Sequence, residues 1–160
     1  MLTHSVFIKQ FEQRLMDTFQ QNCREDIAIS NRCNLYYRLE RNFTMASYLN
    51  KVHIRSNRRA LSMLRLSSHQ LMIERGRWLK VTKENRICSE CHVLEDEYHA
   101  ICVCSRYTDL RNQFIKPYYI DNPNMFKFIQ LINSENVTEM QKLASFIKSL
   151  FKSYNIYLFS

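Results

Sequence analysis

The sequence contains very little glycine and proline, with one glycine and two prolines in 160 residues. Average usage of about 7% would give roughly eleven glycines. A Walker phosphate loop needs two glycines in one short turn and a dinucleotide-binding fingerprint needs three, so both kinds of site are excluded. Tight hairpins also depend on glycine or Asn-Gly turns. The scarcity therefore disfavours barrels and sandwiches and predicts a mostly α-helical chain.

Long apolar runs are also missing, and none approaches the roughly 18 consecutive residues that a membrane-spanning helix needs. The first 19 residues interrupt their apolar positions with charged side chains such as Lys9, Glu12 and Arg14, which is typical of an amphipathic helix and not of a signal peptide. We expect an intracellular protein, nuclear or cytoplasmic, that does not bind membranes. In a reducing compartment, six cysteines indicate metal ligands or free thiols before disulfides.

The formal net charge is +8, and its whole excess lies in one segment. Residues 51–86 carry ten basic side chains against only Glu74 and Glu84, whereas the flanking segments are close to neutral. Seven of the ten are arginines, whose planar guanidinium suits phosphate oxygens and stacks on bases. A charge run is most often a solvated face, but this concentration favours a polyanionic partner.

Apolar residues recur three or four positions apart over most of the chain, which predicts helices. Residues 4–21 form the first, and the polar stretch Cys23–Asn34 is expected to be a connection; the pattern of 35–43 favours no single structure. Thr44 is a candidate cap for a helix through Val52. Further helices are predicted at 55–66, 70–75 and 105–114, then from Asn122-Pro123 to Ile132, and from a cap at Asn136 through Leu158.

We expect a single domain over residues 1–160. Its predicted parts are N-terminal helices (1–50), a basic helical segment (51–86), a zinc element (87–104) and C-terminal helices (105–160). In the basic segment, apolar residues such as Leu61 and Leu64 fall on one side of a helical wheel, and Lys51 and all four arginines of 55–65, Arg65 included, gather on another,. The candidate nucleic-acid-binding residues are Arg55, Arg58, Arg59, Arg65, Arg75, Arg77, Trp78, Lys80, Lys83 and Arg86. Trp78 fits either a base-stacking platform or a buried anchor for the zinc element.

The only clustered metal-binding chemistry has the spacing Cys88-x2-Cys91-x7-His99-x4-Cys104. A C-x2-C pair can hold one ion from a single turn, and a following His and Cys complete a tetrahedron. Zinc is the natural ion for such ligands, and four protein ligands leave no open position, so the site is expected to be structural. His92 and Cys102 are competing ligands, but each is badly spaced. Cys23 and Cys33 have no nearby histidine and are expected to be free.

No catalytic residue stands out. The deaminase pair H-x-E and P-C-x-x-C and the sequence H-E-x-x-H are both missing. The acidic residues 95–97 are best explained as the first turn of a helix that carries His99. We therefore expect a protein that is not an enzyme.

Residues 59–111 carry the pattern Leu-Arg…Ser…His…Ile-Glu…Gly-Arg, followed by C-x2-C…Glu-Asp-Glu-aromatic-His…Cys. The residues that carry it are Arg59–Leu71, Ile73–Arg77, Glu84–Cys88, Cys91, Glu95–His99, Cys104 and Tyr107–Arg111. This pattern resembles the zinc-binding C-terminal region of reverse transcriptase polyproteins from non-LTR (LINE-like) retrotransposons of animals, and weaker similarity extends back to about residue 24.

This resemblance implies a module that follows the polymerase and helps to hold template RNA or target nucleic acid, RNA before DNA. It implies the same four zinc ligands, and a reverse transcriptase as a possible partner. The polymerase signature Tyr-x-Asp-Asp is absent, so the chain is expected to be a C-terminal part without polymerase activity. The alternative is a structural or protein-interaction domain that docks on a polymerase or another partner.

The one glycine, Gly76, lies between the cationic helix and the zinc element. Glycine reaches positive φ more easily than other residues. We therefore expect Gly76 to end the 70–75 helix with a positive φ.

Overall fold

The computed structural model describes residues 4–39 and 45–158. Most of these residues are helical, and none belongs to a β-strand; Ile87 and Leu94 form an isolated antiparallel bridge. The mostly α-helical prediction is confirmed. The α-helices of the described part are α1 (His4–Ile29), α2 (Asn34–Leu39), α3 (Tyr48–Lys51), α4 (Arg55–Arg65), α5 (Met72–Trp78), α6 (Thr108–Phe114), α7 (Pro117–Ile120), α8 (Met125–Ile132) and α9 (Val137–Leu158). Two 3-10 turns (Lys83–Asn85 and Ser105–Tyr107) and a π-helical turn (His99–Val103) complete the helical structure.

Helix α9 lies at the centre of the molecule and packs against α3, α4, α6 and α8. Asn136 caps it as predicted, because the Asn136 side-chain oxygen accepts a hydrogen bond from the Glu139 amide (3.0 Å),. Apolar side chains that recur three or four positions apart along α9 form most of its buried face, and each large side chain buried there stabilises the fold by about 1.5–3 kcal/mol,. The buried residues of this face are Met140, Leu143, Ala144, Phe146, Ile147, Leu150 and Tyr154.

Helix α4 is amphipathic, and its apolar face packs on α9. Leu61 and Leu64 are fully buried there. The Asn57 amide donates to Ser145 Oγ of α9 (2.8 Å), which satisfies a buried polar group,. The opposite side of α4 exposes Arg55 and Arg59. The helix therefore uses one face for the core and leaves cations on the other.

Helix α1 is longer than predicted, because it continues through most of the stretch expected to be a connection. Residues 23–29 lose the apolar periodicity but contain neither glycine nor proline, so nothing in them stops a helix. The helix contacts α2, yet no α1 residue is buried. Its aromatic side chains Phe7, Phe11 and Phe19 are 55–60% exposed. The apolar periodicity therefore ends before the helix does, and exposed apolar surface also continues beyond the end of the periodic pattern.

Other helix boundaries differ modestly from the predicted ones. Thr44, the expected cap, lies outside the described residues, and α3 occupies only part of the predicted 44–52 helix. The side chain that caps α8 is Asn124, two residues after Asn122. Helix α7 was not predicted, and Pro117 stands at its first position, where the missing amide costs nothing,. No described helix is both long and apolar enough to cross a membrane.

The prediction of positive φ at Gly76 is wrong. Helix α5 passes through Gly76 and ends at Trp78, and no glycine has positive φ. The left-handed residue is Lys80 (φ 57°), where the Val81 amide donates to the Gly76 carbonyl (2.8 Å) and the Lys80 amide to the Arg77 carbonyl (3.2 Å). This is a Schellman ending, which usually places glycine at the left-handed position. The chain uses a lysine there instead.

Candidate metal centre

The structure brings the four predicted ligands together. One ligand atom from each of Cys88, Cys91, His99 and Cys104 lies within 4.8 Å of all the others. Cys104 Sγ is 3.8 Å from both Cys88 Sγ and Cys91 Sγ, and all six cysteines are free. These side chains form a group able to hold a metal ion, and it lies between helices.

Cys88 and Cys91 are placed by a tight turn. The Cys88 amide donates to the Val93 carbonyl (2.7 Å), and the His92 amide donates back to the Cys88 carbonyl (2.9 Å). His92 has positive φ (55°), a conformation that is rare for residues other than glycine,. The turn folds the C-x2-C pair so that both thiols point to one place.

His99 and Cys104 come from the two ends of the π-helical turn. In an α-helix, residues five positions apart are about 140° apart around the axis and would not share a face. The π-helical turn hydrogen bonds residues five apart, and the Cys104 amide donates to the His99 carbonyl (2.7 Å),. The Asp96 carboxylate caps the turn by accepting from the His99 amide (2.8 Å). The expected helix with an acidic first turn is therefore present, in a π form that aligns the two ligands.

The chemistry of the four side chains fits a cation. His99 Nε2 is buried with no hydrogen-bond partner, and burial lowers the pKa of His99, which favours the neutral imidazole that binds metals,. The Ser105 hydroxyl lowers the pKa of Cys91 and favours its thiolate. Burial raises the pKa of Cys104 to about 12, so without a cation this thiol stays protonated. A bound metal ion would satisfy the imidazole nitrogen and stabilise the thiolates.

The competing ligands do not join this group. His92 is exposed at the tip of the turn. Cys102 is buried and is not one of the four grouped side chains, and burial raises its pKa to about 12. Cys23 and Cys33 are half-buried and belong to no group of metal-binding side chains in the described part of the chain. The structure thus selects the four residues that spacing selected.

Glu95 attaches the element that carries these ligands to the rest of the fold. One of its carboxylate oxygens accepts from the Met72 amide at the start of α5 (2.8 Å) and from the Tyr154 hydroxyl of α9 (3.0 Å). The Glu95 carbonyl accepts from the Ile73 amide (3.0 Å). Glu95 is almost fully buried, and these bonds offset the cost of burying its charge,.

Two more buried contacts hold the element in place. His69 Nε2 is 3.0 Å from Glu97 Oε1, and both side chains are largely buried. Arg111 of α6 donates to the carbonyls of Ile101 (2.7 Å) and Cys104 (2.6 Å), so it positions the backbone of the π-helical turn. Sequence reasoning missed these roles. Yet His69, Glu95, Glu97 and Arg111 all lie in the stretches Arg59–Leu71, Glu95–His99 and Tyr107–Arg111 that the sequence analysis singled out, and that was the available signal.

The predicted nucleic-acid-binding residues divide by exposure. Five are exposed and accessible to a partner at the surface: Arg55, Arg59, Trp78, Lys80 and Lys83. Four are half-buried: Arg58, Arg75, Arg77 and Arg86. Of the half-buried four, Arg58 donates to the Leu49 carbonyl (3.0 Å) and Arg77 to the Glu74 carboxylate (2.5 Å).

Arg65 does not face solvent and is withdrawn from the candidate interface. It is only 4% exposed, and its guanidinium donates to the Ile132 carbonyl (3.1 Å) and to Asn133 Oδ1 (3.0 Å). The same group lies over the Tyr48 ring, 4.9 Å from its centre. Helical-wheel reasoning placed Arg65 with the cations, whereas the C-terminal end of α8 supplies carbonyl and amide acceptors that stabilise it inside.

Comparisons of the chain with protein-family models, with curated proteins and with solved structures find no match. The class of this protein is therefore defined by its fold and its candidate site alone. The chain is a mostly α-helical protein with a candidate metal centre of three cysteines and one histidine.

Proposed function

We propose that the protein is a zinc-stabilised module that binds nucleic acid, RNA in preference to DNA, and has no catalytic activity. The observation that carries this proposal is the placement of charge. The whole net charge of the chain lies in residues 51–86, and in that segment Arg55, Arg59, Lys80 and Lys83 are exposed. Exposed cations bind a polyanion favourably because their contacts with phosphates release the counterions that surround it.

Zinc is the ion that best fits the centre. Thiolates bind zinc at about 2.3 Å, and two ligands on a tetrahedron of that size are about 3.8 Å apart. The two Sγ–Sγ distances to Cys104 are 3.8 Å. Four protein ligands close the coordination sphere, so the ion would hold residues 87–104 together without activating a water molecule.

The resemblance of residues 59–111 to the C-terminal region of non-LTR reverse transcriptases supports the same proposal. Polar residues of the resembling stretches make hydrogen bonds that connect the candidate zinc element to α5 and α9. These contacts are a physical reason for the polar residues of the pattern. On this proposal the module holds RNA for a reverse transcriptase, and the polymerase chemistry resides elsewhere.

The test is binding of a fluorescent single-stranded RNA at several salt concentrations. Each phosphate contact adds about 0.7 to the slope of log affinity against log salt. We expect affinity to fall steeply between about 50 and 300 mM salt. Affinity that does not change with salt would remove the electrostatic basis of the proposal.

A variant that lacks four of the exposed positive charges localises the interface. Replacing Arg55, Arg59, Lys80 and Lys83 with glutamine should weaken binding at least tenfold and reduce the salt slope by about 0.7 for each phosphate that the variant no longer binds. The matched control replaces four exposed lysines outside the segment with glutamine: Lys9, Lys142, Lys148 and Lys152. Equal weakening in both variants would mean that net charge, and not these four side chains, determines binding.

A second candidate function, contact with another protein, is favoured by α1. This 26-residue helix has no buried residue, and it exposes Phe7, Phe11, Leu15 and Phe19 at helical spacing. Charged residues of both signs surround them, as Lys9, Glu12 and Arg14 show, so the helix has no strong charge preference. In this alternative α1 is the contact with a polymerase or another partner, and zinc serves folding alone.

A further inference from the structure

We infer that the nucleic acid bound by this module is single-stranded, and that one unpaired base stacks on the indole of Trp78. The inference rests on the proposed function and adds the class of ligand. It can fail while the proposed function stands, because salt-dependent binding to phosphates needs no contact with a base.

Trp78 is the only tryptophan in the chain, and its side chain is exposed. The residue is 73% exposed at the last position of α5. Leu79, the next residue, is 57% exposed. This exposure excludes the buried anchor that the sequence alone left open.

The surroundings of Trp78 fit a nucleotide. The Arg77 guanidinium carbon lies 5.4 Å from the centre of the indole, on one face of the ring, and a base can stack on the other. Lys80 and Lys83 are exposed within five residues of the indole, and Glu84 is the one exposed carboxylate in this stretch. An aromatic face with cations beside it is the arrangement that proteins use to bind single strands.

The backbone keeps this platform in place. Lys80 has positive φ, and the Val81 amide closes the turn by donating to the Gly76 carbonyl (2.8 Å). Arg86 fastens the next segment to α5 by donating to the carbonyls of Ile73 (2.9 Å) and Val81 (3.0 Å). The indole therefore projects from a helix end that is fixed by hydrogen bonds, and not from an irregular loop.

The geometry favours an unpaired base over a base pair. Inside a duplex both faces of each base are covered by its neighbours, so an indole can reach a face only by unstacking them. In a single strand the faces are accessible, and stacking on an aromatic side chain tolerates any base. A duplex would meet the cations but not the indole.

The experiment uses the single tryptophan as its own probe. The chain of residues 1–160 is titrated with oligouridylate, with a duplex RNA of equal phosphate count, and with inorganic polyphosphate. We expect the tryptophan fluorescence to be quenched only by oligouridylate, and the single strand to bind at least tenfold more tightly than the duplex. Salt-dependent binding of oligouridylate without quenching would overturn the inference and leave the proposed function intact.

Substitutions of Trp78 separate stacking from charge. Trp78→Ala should weaken oligouridylate binding about tenfold to hundredfold, and Trp78→Phe should restore part of it. Neither variant should change the salt slope, because no cation is removed. The matched control is Phe126→Ala, which removes an equally exposed aromatic residue (73%) from α8. Equal affinities of Trp78→Ala and the unchanged protein would sink the inference.

Discussion

Arg86 explains why residue 76 is glycine. A Cβ atom on residue 76 would lie 2.5 Å from Arg86 Cγ and 2.9 Å from Arg86 Cδ, both far inside van der Waals contact. The Arg86 side chain cannot simply move aside, because its guanidinium donates to the carbonyls of Ile73 and Val81. Close approach, and not an unusual φ, is what requires glycine at this position.

Gly76→Ala should therefore destabilise the fold although alanine is the better helix former. The helix preference favours alanine by about 1 kcal/mol, but overpacking costs about 1–3 kcal/mol. We expect a net destabilisation of about 1 kcal/mol, seen as a fall of roughly 2–4 °C in Tm for a chain of this size.

A double-mutant cycle tests that explanation. With Arg86→Ala in place, the clash is gone, and Gly76→Ala should become neutral or stabilising because only the helix preference remains. The sign of the Gly76→Ala effect should thus reverse between the two backgrounds. The same destabilisation in both would show that Arg86 does not account for the glycine.

The candidate metal centre shows which parts of a site can be predicted from sequence. The four ligands lie within a stretch of 17 residues, so their spacing alone predicted the group that the structure assembles. The contacts of Glu95 with Met72 and Tyr154, and of Glu97 with His69, join residues 23 to 59 positions apart. No local pattern encodes such contacts. Arg65 was misplaced for the same reason, since its acceptor Ile132 lies on α8.

Removal of the metal should unfold the element and its neighbours. Structural zinc supplies on the order of 10–16 kcal/mol of coupled binding and folding, against about 5–15 kcal/mol for a whole domain. After treatment with a strong chelator, we expect amide hydrogens of residues 70–115 to lose their protection from exchange. Elemental analysis of the purified protein should give one zinc per chain.

Cysteine variants and pH provide the controls for this prediction. Cys91→Ser should imitate the chelator, whereas Cys23→Ser should not, because Cys23 lies outside the group of four. Burial holds the pKa of Cys104 at about 12 without metal, so binding must displace a proton from this thiol. Metal affinity should accordingly fall as pH is lowered. An unchanged melting curve in protein proven free of metal would eliminate the centre.

At the scale of the whole molecule, the described residues divide into a packed body and one helix outside it. Buried side chains run from Leu35 in α2 to Tyr154 in α9, and they form one hydrophobic cluster. The cluster includes Cys88 and Cys104, so the candidate metal centre is joined to the core. Helix α1 contributes nothing to it. The candidate metal site is thus built into the core, whereas α1 carries a row of exposed apolar side chains and contributes no buried residue.

Deletion of residues 1–30 tests this division. Because no α1 side chain is buried, the deletion removes little of the apolar burial that stabilises the fold,, and an isolated helix in water is at best marginally stable. We expect Tm to change by less than about 2 °C, which for this size corresponds to under about 1 kcal/mol. Binding of an apolar dye should fall sharply, since Phe7, Phe11, Leu15 and Phe19 leave with the helix. RNA affinity should stay within about twofold, because the cations of residues 51–86 remain.

A large fall in Tm would place α1 within the fold, whereas intact Tm with abolished RNA affinity would move the nucleic-acid interface to α1. Unchanged Tm and unchanged RNA affinity would leave the exposed face of α1 for contact with another protein.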